Sequence, residues 1–210
     1  MNPAGGVSRP LEILSAKNVL NWQKRRRRMS RRIEDLNPVV RQKWLGLRDD
    51  LIADGSLEMS GVVPIVVETL RTVDAQIAYF AQGRKTLAGV NALRKTAGLA
   101  SIKDSENVIR TKTLDSIHLY GCAIDVWLMK NGSRLPDNHP AWDNFGVLAE
   151  AYGFVWGGRF GDDPKTKKIE GWDKCHIEYR GGLTLAELKA FFFRPRSGAE
   201  QSGRVDTCGA

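Results

Sequence analysis

Cysteine is scarce in this sequence. There are three, Cys122, Cys175 and Cys208, with no Cys-x-x-Cys pair. So odd and sparse a set excludes a disulfide framework and a thiolate zinc site. The three read as small buried or tail thiols. Long apolar runs are missing as well. A membrane-spanning helix needs about 20 mostly apolar residues, whereas the longest stretch, Gly61 to Val67, is short and interrupted by Pro64. The basic region near the N-terminus is not followed by an apolar segment and a small-residue cleavage site, so no signal peptide is expected and synthesis ends in a cytoplasm. Histidine is limited to three residues, His118, His139 and His176.

What is present is enough for one ordinary domain: 210 residues, 42% of them hydrophobic. The net charge of +8 is unevenly placed, because residues 1–48 hold 12 of the 32 basic groups and only 3 of the 24 acidic ones. Residues 1–29 therefore read as a basic N-terminal arm, suited to anionic lipid or polymer surfaces and equally open to having no role. Four consecutive arginines, Arg25 to Arg28, repel one another in a helix. The domain itself is expected over residues 30–194, and the Gly-, Ser- and charge-rich residues 195–210 read as a disordered tail.

Asn37-Pro38 is a helix start, with an N-cap and a proline at the first turn. Val40, Trp44, Leu47 and Leu51 follow at helical spacing, and Gly55 stops the run. Val62 to Val67 reads as a strand whose Pro64 demands an edge or a bulge. Thr72 to Gln82 reads as a second helix, ended by Gly83. Residues 85–112, mixed in charge and rich in small side chains, read as a long irregular loop. Gly121 to Met129 is the next strand, a helix runs from Asn138-x-Pro140 to Gly153, and Cys175 to Tyr179 is the last strand. Thr184-x-x-Glu187 is a capping box opening a final helix through Phe193. Helices and short strands mix without a βαβ rhythm, so the expected class is α+β, with a small antiparallel sheet packed against helices.

Two of the three histidines stand near carboxylates, in Ser116-Ile-His118-Leu-Tyr-Gly121-Cys-Ala123-Ile-Asp125 and in Asp173-Lys-Cys-His176-Ile-Glu178. A catalytic zinc takes three nitrogen or oxygen ligands and keeps a fourth position open. His118, Asp125 and His176 satisfy that count. On one unbroken strand His118 and Asp125 would face opposite sides, because their separation is odd. Gly121 offers the needed break, after which Asp125 shares a face with Ala123 and Trp127 while Ile124, Val126 and Leu128 face the core. His176 and Glu178 share a face of the last strand. Asp173, three residues before His176, is a candidate general base. Spacing alone leaves structural histidines and a turn-forming aspartate as open alternatives. His139, at a helix start, reads as a capping-region surface group, and Cys175 as facing away from the ligands.

The motif Ser116-x-His118-x-x-Gly121-x-Ala123-x-Asp125 with Asp173-x-x-His176 resembles the D-alanyl-D-alanine carboxypeptidase superfamily of zinc peptidases. Three more segments resemble its L-alanyl-D-glutamate endopeptidase branch, which includes phage endolysins. They are Ser30 to Pro38, then Leu70-Arg71-Thr72 with Gln76, Tyr79 and Gln82-Gly83-Arg84, and Gly153-Phe-Val-Trp156-Gly157-Gly158. The resemblance implies a zinc ion (Zn2+) on His118, Asp125 and His176, with Asp173 as acid/base. It implies that Arg71 binds substrate or steadies an oxyanion, and that Ser116 and Gln76 contact substrate. Glu178 could orient a ligand imidazole, although an exposed strand-end glutamate fits the pattern better. Three departures bear on substrate fit: the longer, charged segment between Gly158 and Asp173, Arg159-Phe160 in place of Asp-Trp, and Cys175 in place of proline.

The function expected from the resemblance is a monomeric, zinc-dependent hydrolase of the peptidoglycan stem peptide. It would be an L-alanyl-D-glutamate endopeptidase acting as an endolysin on the cell wall after release. One alternative is a D-alanyl-D-alanine carboxypeptidase, whose branch typically carries Glu at the place of Asp173 and lacks the Trp-Gly-Gly turn. The other is a non-catalytic zinc protein that binds anionic polymers through its arm, with no specific nucleic acid.

Overall fold

The computed structural model describes residues 29–161 and 171–192. Most of the basic arm, the tail from residue 195 and much of the segment between Gly158 and Gly171 lie outside the described residues. The helices are α1 (Pro38–Ala53), α2 (Val73–Ala81), α3 (Leu87–Thr96), α4 (Ala141–Ala151) and α5 (Leu185–Phe192). The strands are β1 (Val63–Glu68), β2 (Ala123–Lys130), β3 (Ser133–Arg134), β4 (Val155–Trp156) and β5 (His176–Glu178). They form one antiparallel sheet in the order β1-β2-β5-β4, with β3 pairing to β2. The architecture is the expected α+β one.

Local chemistry explains most of these elements. The Asn37 side chain accepts the Val39 N–H at 3.1 Å and Pro38 opens α1. The α1 stripe Val40, Trp44, Leu47 and Leu51 is fully buried. It joins Trp142, Phe145 and Ala149 of α4 in one core with Ile124, Val126, Leu128 and Ile177 of the sheet. Burying each such large side chain stabilises the fold by about 1.5–3 kcal/mol. In β2 the alternation is the expected one, with Ile124, Val126 and Leu128 inward and Asp125 and Trp127 on the other face. Pro64 sits in β1, at the end of the sheet path, where an edge strand tolerates its missing N–H. Thr72 caps α2 by accepting from Ala75 N, and the Thr184–Glu187 capping box closes in both directions.

Residues 85–112 correct the loop expectation. They contain α3, whose N-cap Thr86 accepts from Gly89 N at 3.3 Å, and a short 3₁₀ turn at Asp104–Glu106. Only Val90 of α3 is buried, and the helix packs on α2 rather than on the central core. Leu87, Val90 and Leu93 do recur at helical spacing, but the run is short and the poor helix formers Gly89 and Asn91 lie within it, so its composition resembles a loop. Among the described residues no helix is long and apolar enough to cross a membrane.

Gly121 is the break between the two halves of the histidine motif. It ends a 3₁₀ turn, Ile117–Tyr120, in the left-handed conformation at φ 65°. A Cβ there would lie 3.0 Å from Asp35 O and 3.2 Å from Asn37 N, and Asn37 N donates to Gly121 O at 2.8 Å. Gly121→Ala should therefore cost about 1–2 kcal/mol for the backbone conformation alone, plus the crowding against the start of α1. The expected readout is a lower urea midpoint at an unchanged slope.

Candidate metal centre and cleft

Three strands bring one row of side chains together. Glu68 of β1, Asp125 of β2 and His176 of β5 stand in register as direct neighbours across the sheet. A β-bulge between Val66 and Glu68 puts Glu68 in that row, a common device beside functional sites. His118 arrives from the 3₁₀ turn before β2. Its main-chain oxygen accepts from Arg71 N at 3.1 Å, so the segment after β1 is strapped to the same turn.

His118 Nε2, His176 Nδ1 and Asp125 Oδ1 converge. Their separations are 3.1 Å from His118 to Asp125, 3.3 Å from His118 to His176 and 2.9 Å from His176 to Asp125. The three can act as one metal-binding group, with all ligand atoms within 4.8 Å of one another. Tetrahedral zinc at its usual bond lengths sets its ligand atoms about 3.4 Å apart, within a few tenths of an ångström of this spacing. The outer nitrogens support the same reading. His118 Nδ1 lies 3.2 Å from Thr69 O, and His176 Nε2 lies 3.3 Å from Glu178 Oε2. A neutral His118 that donates to Thr69 turns a bare Nε2 lone pair toward the Asp125 carboxylate. The other tautomer leaves Nδ1 facing a carbonyl without a hydrogen. A cation at Nε2 removes the conflict, and outer acceptors of this kind are the usual partners of ligand imidazoles. The donor set thus fits zinc.

Charge is distributed to match. Burial pushes the Asp125 carboxyl up, but the two imidazoles outweigh it and hold it well below the usual carboxylate range. Burial opposes a charge on His176, yet its hydrogen bonds to Asp125 and Glu178 raise its pKa to about 10. When no metal ion is bound, a proton on His176 balances the neighbouring Asp125 and Glu178 carboxylates. Glu178 is itself buried, at 4% exposure, and pairs with Arg180. Burial raises its carboxyl, and His176 and Arg180 bring it below its ordinary value. The expected exposed glutamate is therefore corrected: the sheet buries Glu178 against the His176 imidazole.

Asp173 lies in the turn before β5, and its main-chain oxygen accepts from His176 N at 3.0 Å. Burial pushes its carboxyl above the ordinary value, opposed by His176 and reinforced by the charge of Asp125. The Trp156-Gly157-Gly158 turn holds this segment. Trp156 Nε1 donates to Lys174 O at 2.9 Å. The indole is flanked by Gly146 of α4 and by Gly158, where a Cβ would come within 2.2 Å of the ring. At Gly157 a Cβ would sit 2.3 Å from Asp173 O and 3.1 Å from His176 Cβ. Three glycines thus make room for one tryptophan and for the turn that carries Asp173.

Arg71 is fixed rather than free. Its Nε and Nη2 donate to the two oxygens of Glu68, at 2.5 and 2.8 Å, and Nη1 donates to Gln76 Oε1 at 2.8 Å. Burial opposes its charge, but Glu68 and then Asp125 raise its pKa. Of the five guanidinium N–H groups two remain for other partners, and Nη2 lies 3.9 Å from Asp125 Oδ2. Gln76, at 1% exposure, has both ends of its amide engaged, since Nε2 donates to Thr113 O at 2.6 Å. The structure places it behind Arg71 rather than on the cleft wall. Ser116 lines the cleft and caps the His118 turn, accepting from His118 N at 3.4 Å. His139 caps α4 through Ala141 N, and Cys175 Sγ lies 3.4 Å from Asp173 Oδ1, outside the ligand cluster.

All of this opens into a cleft of about 630 Å³ lined by Arg71, His118, Asp125, Asp173 and His176. Phe160 forms a wall beside His176, its ring 5.7 Å from the imidazole. Glu68, Thr69 and Arg180 were not singled out in the sequence, and Phe160 stood there only as part of a departure from the family pattern. Glu68, three residues before Arg71, carried the only usable signal, and only the bulge makes it point inward.

Residues 110–179 match the family model described as D-alanyl-D-alanine carboxypeptidase. That stretch holds all three metal-site residues and Asp173, and over it the chain is carboxypeptidase-like. Among solved structures, the chain is similar to the LdcB LD-carboxypeptidase, with a TM-score of 0.43 and 16% identity, over 75% of this chain and 68% of that one. No curated protein sequence matches the chain.

Two outcomes are expected. Zinc must displace the His176 proton, whose raised pKa keeps it bound throughout the neutral range. Affinity should therefore rise about tenfold per pH unit between pH 6 and 8, with a proton released, as measured by chelator competition and calorimetry in two buffers. Gly157→Ala should lower zinc affinity at least roughly tenfold by displacing the Asp173–His176 turn, an effect of the size seen for lost outer supports.

Proposed function

We propose that this chain is a zinc-dependent peptidase of the peptidoglycan stem peptide, cutting the L-alanyl–D-glutamate bond as an endolysin does. The observation that carries the reading is the convergence of His118, Asp125 and His176 at one end of an open cleft that also presents Asp173 and Arg71. Zinc bound there would polarise the scissile carbonyl and bring the pKa of a bound water toward about 7.

The chain's own residues do the rest. Asp173, its proton affinity raised by burial, takes a proton from the attacking water and hands it to the leaving amine. Arg71, clamped by Glu68 and Gln76, directs its remaining N–H groups at charge developing on the carbonyl oxygen. Preorganisation matters because a guanidinium already oriented pays no ordering cost during the reaction. Phe160 shields one side of the site from water. Outside the described residues, the basic arm is the candidate contact with anionic lipid or polymer. The protein would act as a monomer on the wall after release from the cell that makes it.

A second reading, D-alanyl-D-alanine carboxypeptidase, is favoured by the description of the matching family. The products separate the two. A new free amino group on D-glutamate supports the endopeptidase, and loss of a terminal D-alanine supports the carboxypeptidase, both read by mass spectrometry of digested walls. Asp173→Asn should lower kcat about 10²–10⁴-fold while zinc content stays at the wild-type level. Undiminished wall digestion by that variant would rule out Asp173 as the acid/base.

A further inference from the structure

Most charged groups on the cleft walls have a partner. Arg71 is held by Glu68, Arg180 by Glu178, and Asp115 by Lys189 at 2.9 Å. Arg110 and Lys112 differ: both line the cleft, and neither has a carboxylate partner among the described residues. The segment that carries them is nonetheless fixed. Gln76 Nε2 donates to Thr113 O at 2.6 Å, and Arg84 Nη1 donates to Thr111 O at 3.1 Å. The same Gln76 amide accepts from Arg71, so one buried side chain sets the position of this segment relative to the guanidinium at the site. Across the cleft, the Lys112 ammonium lies over the Trp172 ring, 4.7 Å from its centroid. Trp172 immediately precedes Asp173, which brings the cation beside the turn that carries the proposed base.

We infer that Arg110 and Lys112 form an anion subsite that recognises a free carboxylate on the substrate, close to the bond being cut. The inference rests on the peptidase reading and deepens it. Two cations on an anchored segment, facing a cleft and lacking internal counter-ions, suit a carboxylate better than a neutral group, because a charge-assisted hydrogen bond is about twice as strong as a neutral one. A D-glutamyl residue has two carboxyl groups and continues the chain through one, so the other is free unless it is amidated. A peptide ending in D-alanine offers its terminal carboxylate instead. The shared chemistry is a carboxylate within reach of the scissile bond, and Gln76 acts as a positioning residue for its receptor.

The test uses the full chain loaded with zinc and synthetic stem peptides containing L-alanyl–D-glutamate. The side carboxylate of the glutamyl residue is free or amidated, and the C-terminus is an acid or an amide. In the wild type, amidating the recognised carboxylate should raise KM about tenfold with little change in kcat. The position whose amidation matters identifies the source. Arg110→Gln/Lys112→Gln should raise KM for the free-acid peptide to the same degree and abolish the discrimination, leaving zinc content unchanged. Equal wild-type KM values for every peptide would overturn the subsite while leaving the peptidase intact. Full discrimination retained by the double variant would overturn it too. A wild type that cuts none of the peptides would overturn the peptidase reading, and the subsite with it.

Discussion

Three lone-pair atoms from distant parts of the chain face one another at about hydrogen-bond distance, and the rest of the molecule is arranged to hold them there. His118 Nε2, His176 Nδ1 and Asp125 Oδ1 would repel if each were bare. A proton on His176 relieves this when no metal ion is bound, and a divalent cation held by the three atoms would relieve it as well. Thr69 O and Glu178 hold the outer imidazole nitrogens, so the inner atoms have no alternative partner to turn toward. The surrounding core sets the direction of each strand. Residues such as Ile124, Val126 and Ile177 are fully buried on one side of the sheet, and the pleat then leaves Asp125 and His176 on the other.

The second constraint is space rather than charge. The turn bearing Asp173 must pass close to the backbone of Gly157, and the Trp156 indole fits between Gly146 and Gly158. The indole N–H reaches Lys174 O, tying a core aromatic to the segment that carries Asp173. A helix glycine such as Gly146 usually costs about 1 kcal/mol relative to alanine. Here it offsets that cost by admitting the ring that supports the site. The Trp-Gly-Gly turn is thus a mechanical part of the centre, although it carries no chemistry.

Much of the fold was legible because its signals are local. The α1 stripe from Val40 to Leu51, the Asn37-Pro38 start, the Thr184–Glu187 box and the alternation of β2 each depend on residues a few positions apart. His118, Asp125 and His176 were legible as a motif with a resemblance behind it, and the structure brings the three together. Helix α3 was not legible, because its short stripe of Leu87, Val90 and Leu93 is interrupted by Gly89 and Asn91 and rests on α2 rather than on the central core. The burial of Glu178 was missed because an edge or a buried position for a strand-end glutamate depends on neighbours far along the chain. Glu68 was passed over because its role needs a bulge and a guanidinium arriving from the following turn.

What the sequence by itself determined is the periodicity of the helices, the break at Gly121, and the presence of two imidazoles and carboxylates at spacings compatible with a metal. These follow from backbone stereochemistry and from the alternation of side chains along a strand. Only the tertiary structure decided the register that sets Glu68, Asp125 and His176 in one row, the clamp on Arg71, and the engagement of Gln76 away from the cleft. The register and the Gln76–Thr113 bond pair segments tens of residues apart, and the clamp on Arg71, local in sequence, closes only because the sheet imposes the bulge that turns Glu68 toward it. Such pairings are selected by the total burial and charge balance of the whole chain, so no local window contains the information that fixes them.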